Sequence, residues 1–278
     1  SIEWLIGQMA TGLIGGVPLG CYPTSSTADL LHALGHADVK VLFCENDAYL
    51  ARIEPIRDQL PQLRWIVMFD EASEALGREG IMSMADLETA GAQALAETPG
   101  LLDASIAALS LDQTGLIVYT SGSTGAPKAA MLSYRNMRTA ASGFSELLGY
   151  KPGAAVLSFL PLCHIAEQAM TNFAPLYTRS SVGIGGGLAD LSADMLVVRP
   201  TYFSGVPRVW LRFQEQIRAA FDTQGRALAL DAALQAGAPI AFKPEAEWTD
   251  AERETAQAHA RVANEALGVV GLDRAKVA

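Results

Sequence analysis

Ten residues, Tyr119 to Lys128, read YTSGSTGAPK and put four aliphatic hydroxyls, two glycines and a terminal cation into one short run. Thr120, Ser121, Ser123 and Thr124 supply the hydroxyls, alongside several backbone N–H donors. Gly122 and Gly125 let the backbone bend and approach a ligand closely, and Lys128 adds a mobile positive charge. Donors at this density around a flexible backbone suit a polyphosphate. Leu116, Ile117 and Val118 lead into the run as a strand, so the grip is expected at a strand's end, where doubly wound sheets place ligands.

Other loop chemistries fail residue by residue. A Walker A loop needs a glycine and a hydroxyl where Pro127 and Ala129 stand. A nucleophile elbow needs G-x-S-x-G, and around Ser123 the first glycine is replaced by Ser121. A plain Ser/Gly turn explains neither the Pro-Lys ending nor the hydroxyls. Downstream, GIGGGL (183–188) has Leu188 at the last glycine position of G-x-G-x-x-G, so no dinucleotide fingerprint is present there.

A second cluster is LPLCHIAEQ (160–168). His164 is expected to close the strand LSFLPLC and point from a sheet end toward the same crevice as the loop. Cys163 and His164 do not make a catalytic pair, because neighbours on an extended segment face opposite ways. His164 with Glu167 lacks a third metal ligand at suitable spacing, so no metal residues are assigned.

The elements that must position these residues alternate short apolar runs with helix-like windows, the pattern of an α/β domain with largely parallel strands. VKVLFCE (39–45) and LRWIVMFD (63–70) read as buried strands, with a helix between them that Pro55 disturbs. Residues 71–110 hold Ala- and Glu-rich helical stretches, with a surface connection around ETPGLLD. After Lys128 the chain is expected to pass into a helix, capped by Ser133 and stopped by Gly149, so that the loop joins strand to helix. AAVLSFLPL (154–162) and TYFSGVP (201–207) read as strands, SVGIGGG as a Gly-rich strand or turn, and Pro207 as the first residue of a helix. Trp210, Phe213, Ile217 and Phe221 then give that helix one apolar face.

Composition bounds the rest. The chain has 278 residues, half of them hydrophobic, which is ample for a core. A net charge of −10 without any basic run excludes a nucleic-acid surface. Cys21, Cys44 and Cys163 are too few and scattered for a disulfide framework, so free thiols and a cytoplasmic setting are expected. Residues 4–20 are apolar, but Gln8, the glycines and Pro18 make a poor spanning helix, so a buried helix running into a strand is expected.

The pattern [YF]-T-[ST]-G-[ST]-T-G-x-P-K resembles the signature loop of the adenylate-forming superfamily, which includes acyl- and aryl-CoA synthetases and peptide-synthetase adenylation domains. LGCYPTSS (19–26), LPLCHIAEQ (160–168) and RPTYFSGVPRVW (199–210) look like the long-chain fatty acid–CoA ligases of the bacterial and bubblegum-type branch. The likeness is strong to about Phe221, weak over 222–260, and returns at LGVVGLDRAKVA.

The resemblance implies a layered αβαβα domain with largely parallel sheets, here an incomplete adenylation domain over 1–278 lacking the C-terminal domain. It implies ATP, Mg²⁺ and coenzyme A, with a fatty acid as substrate. Thr120, Ser121, Gly122, Ser123, Thr124, Gly125, Ala126, Pro127 and Lys128 would bind ATP. Lys128, Thr124 and His164 take the catalytic assignments, with Lys128 tracking the departing pyrophosphate. His164, Gln168 and Gly205 would lie by the acyl substrate, with glutamine at 168 where some relatives carry an aromatic gate. The later Tyr-Gly-x-Thr-Glu segment has no counterpart, since the sequence holds no YG and no TE dipeptide. The 278 residues alone are therefore expected not to form acyl-CoA. Alternatives within the class are a medium-chain or aryl-CoA synthetase or an acyl-carrier-protein ligase; outside it, a non-catalytic nucleotide-binding protein, if the chain naturally ends at Ala278. An apolar substrate adds the expectation of peripheral contact with a membrane.

Overall fold

The computed structural model describes residues 1–120, 127–241 and 243–275. The chain divides into two compact units, Ser1–Ala141 with Pro161–Phe173, and Ser142–Leu160 with Ala174–Ala278. The expected α/β class is observed, with parallel strand pairs in both units.

In the first unit, α1 (Ile2–Leu13) precedes α2 (Thr27–His36), which starts at a capping box between Ser26 and Asp29. β1 (Val41–Cys44), β2 (Trp65–Met68) and β3 (Ile81–Ser83) form a parallel sheet in that order, in register Val41 with Trp65 and Ile66 with Ile81. α3 (Asp47–Ile53) gives way at Pro55 to a 3-10 turn, Glu54–Gln59, as the missing N–H of proline dictates. Leu34, Leu50, Ile53, Ile56, Ile66 and Met68 make the core of this layer. α4 (Met84–Glu97) and α5 (Leu101–Ala107) follow, separated at Gly100, whose positive φ of 84° suits glycine.

β4 (Thr114–Thr120) and β5 (Lys128–Ser133) then form an antiparallel hairpin in which Thr120 pairs with Lys128. This corrects the expected passage from the loop straight into a helix. KAAMLS carries no β-branched or aromatic residue and is a strand because β4 offers it a ladder. The helix starts one element later as α6 (Tyr134–Leu148), where Ser133 Oγ accepts the Asn136 N–H at 3.1 Å, and ends at Gly149 with φ 64°. α7 (Ile165–Glu167) opens into a π turn, Gln168–Phe173. Pro175 follows and has no N–H to give the Thr171 carbonyl, so regular α-helical bonding is interrupted here.

The second unit holds β6 (Ala155–Ser158) and β7 (Ser181–Ile184), parallel and in register Ala155 with Ser181, joined through α8 (Ala174–Thr178). α9 (Leu191–Val198), α10 (Pro207–Thr223), α11 (Ala227–Gly237) and α12 (Asp250–Val269) complete it. Pro207 is the first residue of α10, and Val209, Phe213 and Phe221 are its buried face. Leu157, Phe159, Met195, Phe203, Phe213 and Leu272 fill the core between sheet and helices.

Three further expectations are corrected. TYFSGVP forms no strand: Thr201 and Tyr202 bond the Ala155 carbonyl and the chain then leaves the sheet toward Pro207. β6 ends at Ser158, before Pro161 and well short of His164. α1 is largely surface, with Ile2, Ile6, Met9 and Leu13 exposed; only Leu5 and Gly7 are buried. No helix among the described residues is long and apolar enough to cross a membrane.

Candidate functional site

Residues Ser121 to Ala126, the centre of the hydroxyl- and glycine-rich run, lie outside the described residues. Its flanks are placed. Thr120 and Lys128 face each other across the mouth of the β4–β5 hairpin, so an antiparallel ladder closes the run on itself. Lys128 is exposed, and among the described residues its ammonium makes no ion pair, leaving its charge available for an anion.

Tyr119, just before the run, is buried against α2, and its hydroxyl donates to the Ala33 carbonyl at 3.2 Å. Burial pushes its phenol up from the usual tyrosine range, with the Cys21 thiol adding a smaller push. Pro127, the residue before Lys128, has its carbonyl 2.9 Å from His32 Nε2.

Two motif segments and β4 converge in the first unit. Leu19 bridges to Ile117 of β4, and the Ile117 N–H donates to the Pro18 carbonyl at 3.0 Å. Gly20 sits so close to Cys163 that a Cβ there would come within 2.8 Å of Cys163 Cα, so only glycine lets these backbones meet. Tyr22 stands edge-on to the His164 ring, centroids 6.4 Å apart.

His164 is exposed and caps α7: its Nδ1 accepts the Ala166 N–H at 3.1 Å. That bond fixes Nδ1 as an acceptor and leaves Nε2, which has no hydrogen-bond partner among the described residues, as the ring atom open to a ligand. Burial drives the adjacent Cys163 thiol up to about 12, so it is a packed thiol and no thiolate nucleophile. Cys21 and Cys44 are likewise pushed up to about 11 by burial, and all three cysteines are free.

Gln168 is fully buried. It exchanges amide hydrogen bonds with Gln8 at 2.8 and 3.0 Å, donates to the Leu162 carbonyl at 2.6 Å and accepts from Asn172 at 3.0 Å. Both donors and both acceptor positions are thereby used, which leaves the amide nothing to offer a ligand in this arrangement. Gly205, assigned with it by sequence, belongs to the second unit, where a Cβ would press on Phe203 and Val209 at 3.1 Å while its carbonyl accepts the Trp210 indole N–H at 2.9 Å. That packing by itself accounts for a glycine.

Sequence reasoning passed over His32 and His36, whose rings bond the Pro127 carbonyl and the Tyr119 hydroxyl. Their signal was the H-x-x-x-H spacing within TADLLHALGH, one helical turn apart behind a clear N-cap. Among the described residues no group of three or more His, Cys, Asp or Glu could hold a metal ion. The arrangement is thus a cation-bearing hairpin with an exposed imidazole in the same unit, suited to binding and orienting an anionic substrate.

Comparison with known proteins agrees with this chemistry. The chain is 30% identical over 230 residues to the long-chain-fatty-acid–CoA ligase ACSBG2 of Xenopus laevis, covering 79% of this chain and 30% of the relative. It is 29% identical over 212 residues to the long-chain-fatty-acid–CoA ligase FadD15 of Mycobacterium tuberculosis, covering 75% and 33%. The chain therefore spans about a third of the length of these relatives. Among solved structures, ATP-bound MatB from Rhodopseudomonas palustris shares the fold with a TM-score of 0.55 at 22% identity, over 76% of this chain and 38% of that one. Residues 1–260 match the AMP-binding enzyme family, and with the signature run closed by the β4–β5 hairpin the chain belongs to that family.

Proposed function

We propose that the chain is the phosphate-gripping part of an AMP-forming ligase that activates long-chain fatty acids. The observation carrying this reading is the hairpin itself: a run of hydroxyls and glycines tied off by the Thr120–Lys128 pair, with a cation at its exit that makes no ion pair among the described residues. The ligase names of the relatives at about 30% identity support the acyl substrate.

In this reading the carboxylate attacks the α-phosphorus of ATP and expels pyrophosphate, and coenzyme A's thiol then displaces AMP from the acyl-adenylate. Neither step needs a nucleophile from the protein. The chain's task is to hold the triphosphate in line and to meet charge as it moves toward pyrophosphate. Thr120 through Lys128 supply donors, with Thr124 and Lys128 on the leaving group, and His164 presents Nε2 to the carboxylate and adenylate. Mg²⁺, when bound, would shield the phosphate charge.

Fatty-acid-dependent exchange of labelled pyrophosphate into ATP, by the full-length product of the gene, tests the reading. Removing one charge-assisted contact costs about 1.5–3 kcal/mol, so Lys128→Ala is expected to slow exchange by roughly one to two orders of magnitude. Ser123→Ala, which removes one neutral donor, is expected to slow it less. Unchanged rates in both variants would remove this run from the mechanism.

A further inference from the structure

The chain has four histidines, and two of them stand on one face of α2, one turn apart. Their rings stack with centroids 5.6 Å apart and planes 11° from parallel, and each meets the Tyr119 ring edge-on at 6.1 Å. Their polar atoms reach both ends of the signature run. His36 Nδ1 lies 2.8 Å from the Tyr119 hydroxyl, immediately before Thr120. His32 Nε2 lies 2.9 Å from the Pro127 carbonyl, immediately before Lys128. A carbonyl only accepts, so His32 Nε2 carries the hydrogen of that bond.

We propose that His32 and His36 are positioning residues of the phosphate loop, holding its two ends and orienting Lys128 toward the nucleotide. The inference rests on the reading of residues 120–128 as the loop that grips ATP. The peptide group is planar, so a hydrogen bond to the Pro127 carbonyl also sets the direction of the Lys128 N–H and the path of its side chain. Ends already held spare the loop part of the ordering cost of binding. The α2 helix does not need these rings to stay folded, because it anchors through Leu30, Ala33 and Leu34 while His36 is exposed. His32 bears the larger share: it touches the loop backbone directly, whereas Tyr119 keeps its bond to Ala33 if His36 is lost.

Pyrophosphate exchange by the full-length gene product, read as separate KM values for ATP and for the fatty acid, tests this. His32→Phe keeps the ring stack and removes the donor; His32→Gln keeps a donor. Loss of one net hydrogen bond of ordinary strength predicts a KM for ATP about fivefold higher in His32→Phe. The KM for the fatty acid and the Tm are expected to stay at the wild-type values, and His32→Gln to restore the KM for ATP. His36→Phe is expected to shift the KM for ATP in the same direction by less. An unchanged KM for ATP in an active His32→Phe enzyme overturns the proposal. So does a rise in both KM values with a lowered Tm in the Phe and Gln variants alike, which would assign His32 to folding. A wild-type enzyme without exchange overturns the ligase reading, and this inference with it.

Discussion

The three-stranded sheet and the β4–β5 hairpin lie in the same unit and are built on opposite terms. In β2, Ile66, Val67 and Met68 are each 0% exposed and flanked by parallel neighbours, and Ile66 and Met68 share a core with Leu34 of α2 and Leu50 of α3. In the hairpin, β4 is buried at Leu116 and Val118, but β5 shows Met131 to solvent at 66% exposure and Lys128 stands in the open. The centre of one region is enclosed by packed neighbours; the other has a single ladder and an outward face. Stability therefore concentrates in the sheet, whereas the hairpin leaves outward side chains, Lys128 among them, in solvent.

Substitutions can break or sharpen that contrast. The largest effect is expected from Ile66→Ala, which empties a fully buried position and should cost about 2–5 kcal/mol in denaturant unfolding. A loss below about 1 kcal/mol would mean that the sheet is not the stabilising layer. Gly115→Ala comes next. Its Cβ would sit 2.7 Å from Cε1 of the Tyr134 ring and 3.0 Å from Met137 Cε, so overpacking of about 1–3 kcal/mol is expected at this crowded point of the hairpin. Met131→Lys is expected to change stability by no more than about 0.5 kcal/mol, since the side chain is already in water. A large loss there would show that something covers this face in solution. Lys128→Ala sharpens the comparison differently: exchange falls while the unfolding midpoint stays in place, because the exposed ammonium has no protein partner to lose among the described residues.

Much of the sheet was legible before any coordinates. VLFC and WIVM are short, apolar and bounded by turn residues, and both are strands within the windows expected. Pro55 interrupts its helix, Pro207 starts one, Ser133 caps one and Gly149 ends one, each for a reason local to the residue. The hairpin was half legible. β4 announced itself by its apolar run, whereas β5 did not, because strand propensity in KAAMLS is weak and its pairing with β4 decides. The strand expected at TYFSGVP failed for the converse reason: its aromatic and β-branched residues favour extension, but past Tyr202 the chain turns toward α10 instead of pairing.

Taken alone, the order of residues pointed to the family, since YTSGSTGAPK needs only its own letters to show the hydroxyls, glycines and closing cation of that family's pattern. Distance along the chain hid the rest. Gln8 and Gln168, Gly20 and Cys163, and His32 and Pro127 meet only after folding, and no local pattern records a hydrogen bond across 95 or 160 residues. Tertiary structure therefore decided that Gln168 is an internal tie and that two histidines of α2 reach both ends of the loop, because long-range partners are set by packing and not by propensity.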